Sequence, residues 1–240
     1  MKSSHCPPVA ATTAVILGLL ASIVSADTVL VGDRDGFVGP DDPNGVIERR
    51  PQFDEFVLHP SRSNCVHHGC NALPFDTDNT LNWQFGHTFM GLPALSTATL
   101  EVHVRGGLGP GNDAISLQYI RTGDPNDPLT YSWGWSGPFA YLETVPGAIG
   151  DGDGSWNDDD ELVVVFDLSA LPRSDGTTVN LLPSINAGGY LDVYIADDTD
   201  VDYIELNYTP CHLDGDLDGD GDVDLADLAI LLANYGANCD

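Results

Sequence analysis

From Asp27 to Pro210 the chain repeats one pattern: short runs of alternating apolar and polar residues, each closed by a cluster of Gly, Pro, Asp or Asn. "TLEVHVRG" from Thr99, "AISLQYI" from Ala114 and "ELVVVFDL" from Glu161 all alternate. Each is therefore a strand with one face turned to a core. "TGDPNDP" and "GDGDGSWNDDD" read as the loops between strands. "YLDVYIA" and "VDYIELNY", separated by "DDTD", read as a hairpin. No long segment keeps an apolar repeat of three and four, the mark of an amphipathic helix. Many short strands with turn signals predict a mainly β fold over residues 27–210: an antiparallel β-sandwich of jelly-roll type.

The first residues carry an export pattern. Lys2 gives a positive start, Ala10 to Val24 is apolar, and Val24-Ser25-Ala26 supplies the small residues of a cleavage site. The apolar core falls short of the ~20 residues of a spanning helix. Residues 1–26 are therefore expected to be a signal peptide, and the mature protein to be secreted or held at the cell surface, with no membrane span. The formal net charge is -29, from 37 acidic residues against 8 Lys and Arg. Such a surface repels nucleic acid and anionic membranes and attracts divalent cations. A hydrophobic content of 42% leaves enough apolar material for a core and argues against disorder.

Four cysteines follow the leader: Cys65, Cys70, Cys211 and Cys239. An even number in an exported chain points to disulfides. Cys65–Cys70 and Cys211–Cys239 are the pairings that spacing suggests, and others stay open. His67 and His68 inside "CVHHGC" raise a zinc reading. Oxidation on export weighs against it, because zinc requires the thiolates.

Beyond Pro210 the composition turns to Asp and Gly, then to Leu and Ala, marking residues 211–240 as a separate module. Calcium takes six to eight oxygens, often from a loop of about twelve residues with a glycine at the sixth place and an acid at the twelfth. Counting from Asp216 puts Asp216, Asp218 and Asp220 at the first, third and fifth places and Gly221 at the sixth. Asp222 then offers its carbonyl, Asp224 is ninth and Asp227 twelfth. Starting at Asp214 instead puts Leu225 at the twelfth place and fails. A solvated acidic tail would not require the glycine, the apolar Val223 or the helical pattern that follows. Asp227 begins a helix to about Asn234, with Leu228, Leu231, Leu232 and Tyr235 on one face and Gly236 as its stop.

This EF-hand-type loop running directly into a helix, with Asp at the twelfth place, resembles one calcium repeat of a type I dockerin, over Asp214 to about Gly236. Dockerins are calcium-dependent modules that plug exported proteins into cohesin domains of polysaccharide-degrading assemblies. The resemblance implies calcium on Asp216, Asp218, Asp220, Asp222, Asp224 and Asp227, and a cohesin-facing surface at Leu225 and Ala226. Dockerins usually carry two repeats; this chain has one, and β-type sequence stands where the incoming EF-hand helix would be. A helix this short is marginal alone. Its leucines, Leu228, Leu231 and Leu232, therefore need cover from the β-domain, a second copy or a receptor. A Cys211–Cys239 bridge would add roughly 3–4 kcal/mol on the loop-entropy model.

In the β-domain, "YSWGWSG" puts Tyr131, Trp133 and Trp135 on one strand face. Exposed, they would form a platform for sugar rings; turned inward, they would be core. Trp156, within an Asp-rich loop, is a further contact candidate. That loop, "DGDGSWNDDDE", is not an EF-hand, because Trp156 is sixth and Leu162 twelfth. A solvated loop is favoured there over a structural calcium site. No nucleophile elbow or HExxH pattern occurs: in "GWSGP", Pro138 stands where the second glycine belongs. Glycosidases need two spaced carboxylates. Glu101, Glu143 and Glu205 fall on expected strands, yet nothing in the sequence pairs them. The expected role is thus non-catalytic: adhesion, glycan binding or extracellular assembly. A polysaccharide hydrolase or its accessory subunit, docked through the C-terminus, is the alternative.

Overall fold

The computed structural model describes residues 26–37, 47–59, 84–107, 113–124, 127–196, 199–211, 215, 217, 225–233 and 235. Residues 1–25, Cys65, Cys70, Cys239 and five of the expected loop ligands, Asp216, Asp218, Asp220, Asp222 and Asp224, lie outside the described residues. Among the described residues no helix is long and apolar enough to cross a membrane.

The fold is mainly β, with every strand pair antiparallel. One sheet has the order β1 (Asp27–Gly32), β10 (Asp200–Pro210), β3 (Leu95–Arg105), β6 (Glu161–Asp167). The other runs β2 (Phe85–Met90), β9 (Tyr190–Ala196), β4 (Ala114–Arg121), β5 (Tyr131–Pro138). A small hairpin pairs β7 (Leu171–Pro172) with β8 (Thr178–Val179). The pairs nest: β1 with β10, β2 with β9, β3 with β6, β4 with β5. Rolling such a ribbon brings β10 beside β3 and β9 beside β4, which is the winding of a jelly roll.

Alternation carries the core. Leu100, Val102 and Val104 of β3 face Leu162, Val164 and Phe166 of β6, and across the sandwich Ile115, Leu117, Val193 and Ile195 close the layer. On β10 a bulge between Val201 and Tyr203 inserts Asp202, so that Val201 and Ile204 both point inward.

Two expectations need correction. β9 and β10 are not a hairpin: they belong to different sheets. Nor is the region strand-like throughout. Among the described residues three short helices interrupt it: α1 (Pro51–Val57), α2 (Phe139–Leu142) and α3 (Leu182–Gly188). Pro51 opens α1, where its missing N–H costs nothing. Phe53, Phe56 and Val57 then pack on Tyr119 and Tyr194, covering part of the outer face of the second sheet.

One charge that goes inside, on β9, is fully paired. Asp192 on β9 is fully buried and accepts two hydrogen bonds on Oδ2 from Arg50, Nε at 2.9 Å and Nη2 at 2.6 Å. The Thr88 hydroxyl donates to Oδ1 at 2.8 Å. Arg50 also donates to the Tyr119 carbonyl at 2.7 Å, at the point where β4 has stopped pairing with β9.

Candidate functional site

The aromatic row of β5 does not survive folding. Leu117 pairs with Trp135 and Tyr119 with Trp133, and between them Gln118 takes φ 61° opposite Gly134. A left-handed residue inside a strand breaks the alternation of faces. Leu117 and Trp135 therefore enter the core between the sheets, while Tyr119 and Trp133 turn to the outer cluster beneath α1. Gly134 fits this kink because a Cβ there would lie 2.7 Å from Leu181 Cδ2. Trp135 is buried and donates its Nε1–H to the Pro172 carbonyl at 2.8 Å. Trp133 is half-buried and stacks on Tyr194 at 5.3 Å. Tyr131 alone of the three is exposed, at 38%, leaning on Phe56.

Trp156 is likewise no surface contact. It is 3% exposed, lies 5.0 Å from the Phe139 ring and donates to Asp113 Oδ2. Two candidates do share a cavity. Along the open edge of β5 lies a cleft of about 390 Å³, lined by Trp133, Trp135, Tyr141, Pro172, Arg173 and Asp175. The Tyr141 hydroxyl donates to the Arg173 carbonyl at 2.9 Å, tying α2 to the turn on the far side of the cleft. Sequence reasoning missed Tyr141, Arg173 and Asp175, which lie on separate elements and share no local motif.

Glu101 and Glu205 stand directly opposite each other on β3 and β10, but Arg34 lies between them, 3.0 Å from each. Tyr203 donates to Glu101 and Asn207 to Glu205. Burial pushes Glu205 upward, yet Asn207 and Arg34 more than offset it and hold its pKa below the usual carboxylate value. A glycosidase general acid needs the reverse shift. These two carboxylates form a surface ion-pair network.

Glu143 is different. It follows α2 rather than lying on a strand, and it is 5% exposed. Neither of its carboxylate oxygens has a hydrogen-bond partner. The pKa is pushed up to about 7, first by burial and then by Asp151, Asp160 and Asp153; the nearby Gly154 amide pulls weakly the other way without completing a hydrogen bond. Oxygens of Glu143, Asp151 and Asp153 lie within 4.8 Å of one another. Asp33, Asp35 and Asp202 form a similar trio, but there Asp202 Oδ2 meets His103 Nδ1 at 2.5 Å, a group that can carry positive charge.

At the C-terminus a helix forms as expected, though it begins two residues early: α4 is Leu225–Ala233. Asp227 is its one buried residue, and its Oδ1 accepts the Leu217 amide at 2.5 Å. The carboxylate at the twelfth place thus reaches back to the second residue of the expected loop. Of the six expected ligands only Asp227 lies among the described residues. The docking candidates are all exposed: Leu225 at 80%, Leu228 at 46%, Leu231 at 54% and Leu232 at 63%, with Ala226 alongside. The β-domain does not cover them. Cys211, just after β10, is a free thiol, and Cys239, its expected partner, lies outside the described residues.

Comparison with protein-family models, with curated proteins and with solved structures finds no match to this chain.

Proposed function

We propose that this is an exported, non-catalytic β-sandwich protein that joins an extracellular assembly through a calcium-ordered, dockerin-like helix. The observation that carries the reading is the exposure of Leu225, Leu228, Leu231 and Leu232 on a helix whose buried residue is the loop-closing Asp227. A short helix with its leucines in water is marginal unless an ion and a partner hold it. Asp216, Asp218, Asp220, Asp222, Asp224 and Asp227 would hold the calcium. The ion would neutralise the aspartates of the loop and tie it to the start of α4.

The sandwich would present the ligand face. A polysaccharide is the ligand class that suits the β5 cleft, which Trp133 and Tyr141 line beside Arg173 and Asp175. The commitment of Glu101 and Glu205 to Arg34 favours binding over hydrolysis.

The test is light scattering on the calcium-stripped full chain, before and after calcium, with a Leu228→Asp/Leu231→Asp variant in parallel. A calcium-dependent rise in mass that the variant loses identifies self-association. Constant mass, with capture by an immobilised cohesin that chelator reverses and the variant lacks, identifies a cohesin-like receptor. Neither response in the wild-type chain would overturn the reading.

A further inference from the structure

We infer that Glu143, Asp151 and Asp153 form a second calcium site, built into the sandwich and independent of the C-terminal loop. The spacing is right for one shared ion: oxygens bound at 2.3–2.6 Å can lie no more than about 5 Å apart, and these lie within 4.8 Å of one another. The decisive group is Glu143. A carboxylate that is 5% exposed, with both oxygens unpartnered, carries a large desolvation cost unless a cation completes it. Elsewhere in the domain that cation is Arg50 or Arg34; here the neighbouring charges are all acidic.

The loop is prepared for the purpose. Trp156 anchors it on Phe139, the first residue of the helix that ends at Glu143. Asp151 and Asp153 each turn Oδ1 to a loop amide, of Asp153 and Ser155 respectively, which leaves Oδ2 for a ligand. Asp160 adds charge, but it lies outside the trio whose oxygens approach within 4.8 Å of one another, and Asn157 occupies its Oδ2 twice. A bidentate Glu143 with one oxygen from each aspartate gives four protein oxygens, and water supplies the rest. A mixed, irregular oxygen set of this kind suits calcium better than magnesium, which demands an octahedron, or zinc, which prefers nitrogen and sulfur. The ion would clamp the loop to α2, whose Tyr141 forms one wall of the β5 cleft. Calcium at this site would therefore stiffen that cleft.

The experiment is titration of calcium alone into the stripped full chain, as wild type, Glu143→Gln, Asp151→Asn and Asp216→Ala/Asp227→Ala. The double variant removes the C-terminal site and should still bind one calcium. Glu143→Gln and Asp151→Asn should each weaken that remaining event at least tenfold when added to the double variant. Glu143→Gln should also raise the melting temperature of the calcium-free chain, because it relieves buried repulsion, and should cancel the further rise that calcium gives. No calcium bound by the double variant, or unchanged binding after Glu143→Gln, would overturn the inference. Because Asp151 is exposed, its substitution reports on the site without threatening the fold.

Discussion

Leucine has opposite fates in the two parts of this molecule. On β3, Leu100 is wholly buried and pairs across the sheet with Phe166. On α4, Leu225 and Leu232 are 80% and 63% exposed. The sandwich is complete in itself, with a two-layer core and its buried Asp192 matched to Arg50. The C-terminal unit has a charged loop, a short helix and no core of its own among the described residues. One part is stabilised by packing; the other, on the proposed function, would be stabilised by what binds to it.

The comparison breaks if the two parts respond alike to substitution. The largest effect should come from Asp192→Ala, which strands Arg50 in a buried site and should cost about 3–5 kcal/mol in a denaturant titration of the sandwich transition. A loss under 1 kcal/mol would mean that water reaches Arg50. Next, Leu100→Ala should cost about 2–5 kcal/mol, whereas Leu231→Ala should change the same transition by no more than about 0.5 kcal/mol. Equal losses would place α4 on the sandwich and remove the contrast.

A smaller effect sharpens the account of the sandwich. Burial, and then Arg49, lower the pKa of His87 from 6.5 to about 4, so the folded chain keeps it neutral. The unfolded chain takes up the proton near pH 6.5. Stability from this residue is therefore fully present above pH 6.5 and falls as the pH drops through the window to about 4, by up to about 3 kcal/mol. Denaturant midpoints of His87→Gln should fall less steeply over that window than those of the wild type. Identical slopes would mean that His87 is not held neutral.

Strand alternation made β3 and β6 legible, because both carry one apolar face over seven or more residues. The jelly-roll class followed from the number of such runs, but the sheet to which each belongs did not: β9 and β10 look like a hairpin locally and are parted only by the global winding. The Trp133–Trp135 row failed for a reason invisible to spacing, a single positive φ at Gln118 on the neighbouring strand. Trp156 looked exposed because its neighbours are acidic, yet an aromatic in such a loop can be the pin that holds it. The C-terminal loop was conspicuous in the sequence because all its expected ligands lie in twelve consecutive residues. The Glu143 trio was not, since its buried member stands eight residues before Asp151 and only folding brings them together.

The central claim is that the C-terminal unit is ordered by calcium while the sandwich stands without it. Amide hydrogen exchange of the full chain, with and without calcium, tests this most directly. The account predicts that amides of α4 exchange within seconds in chelator and become protected by calcium, while β3 and β10 stay protected in both conditions. Equal protection of α4 with and without calcium would contradict it.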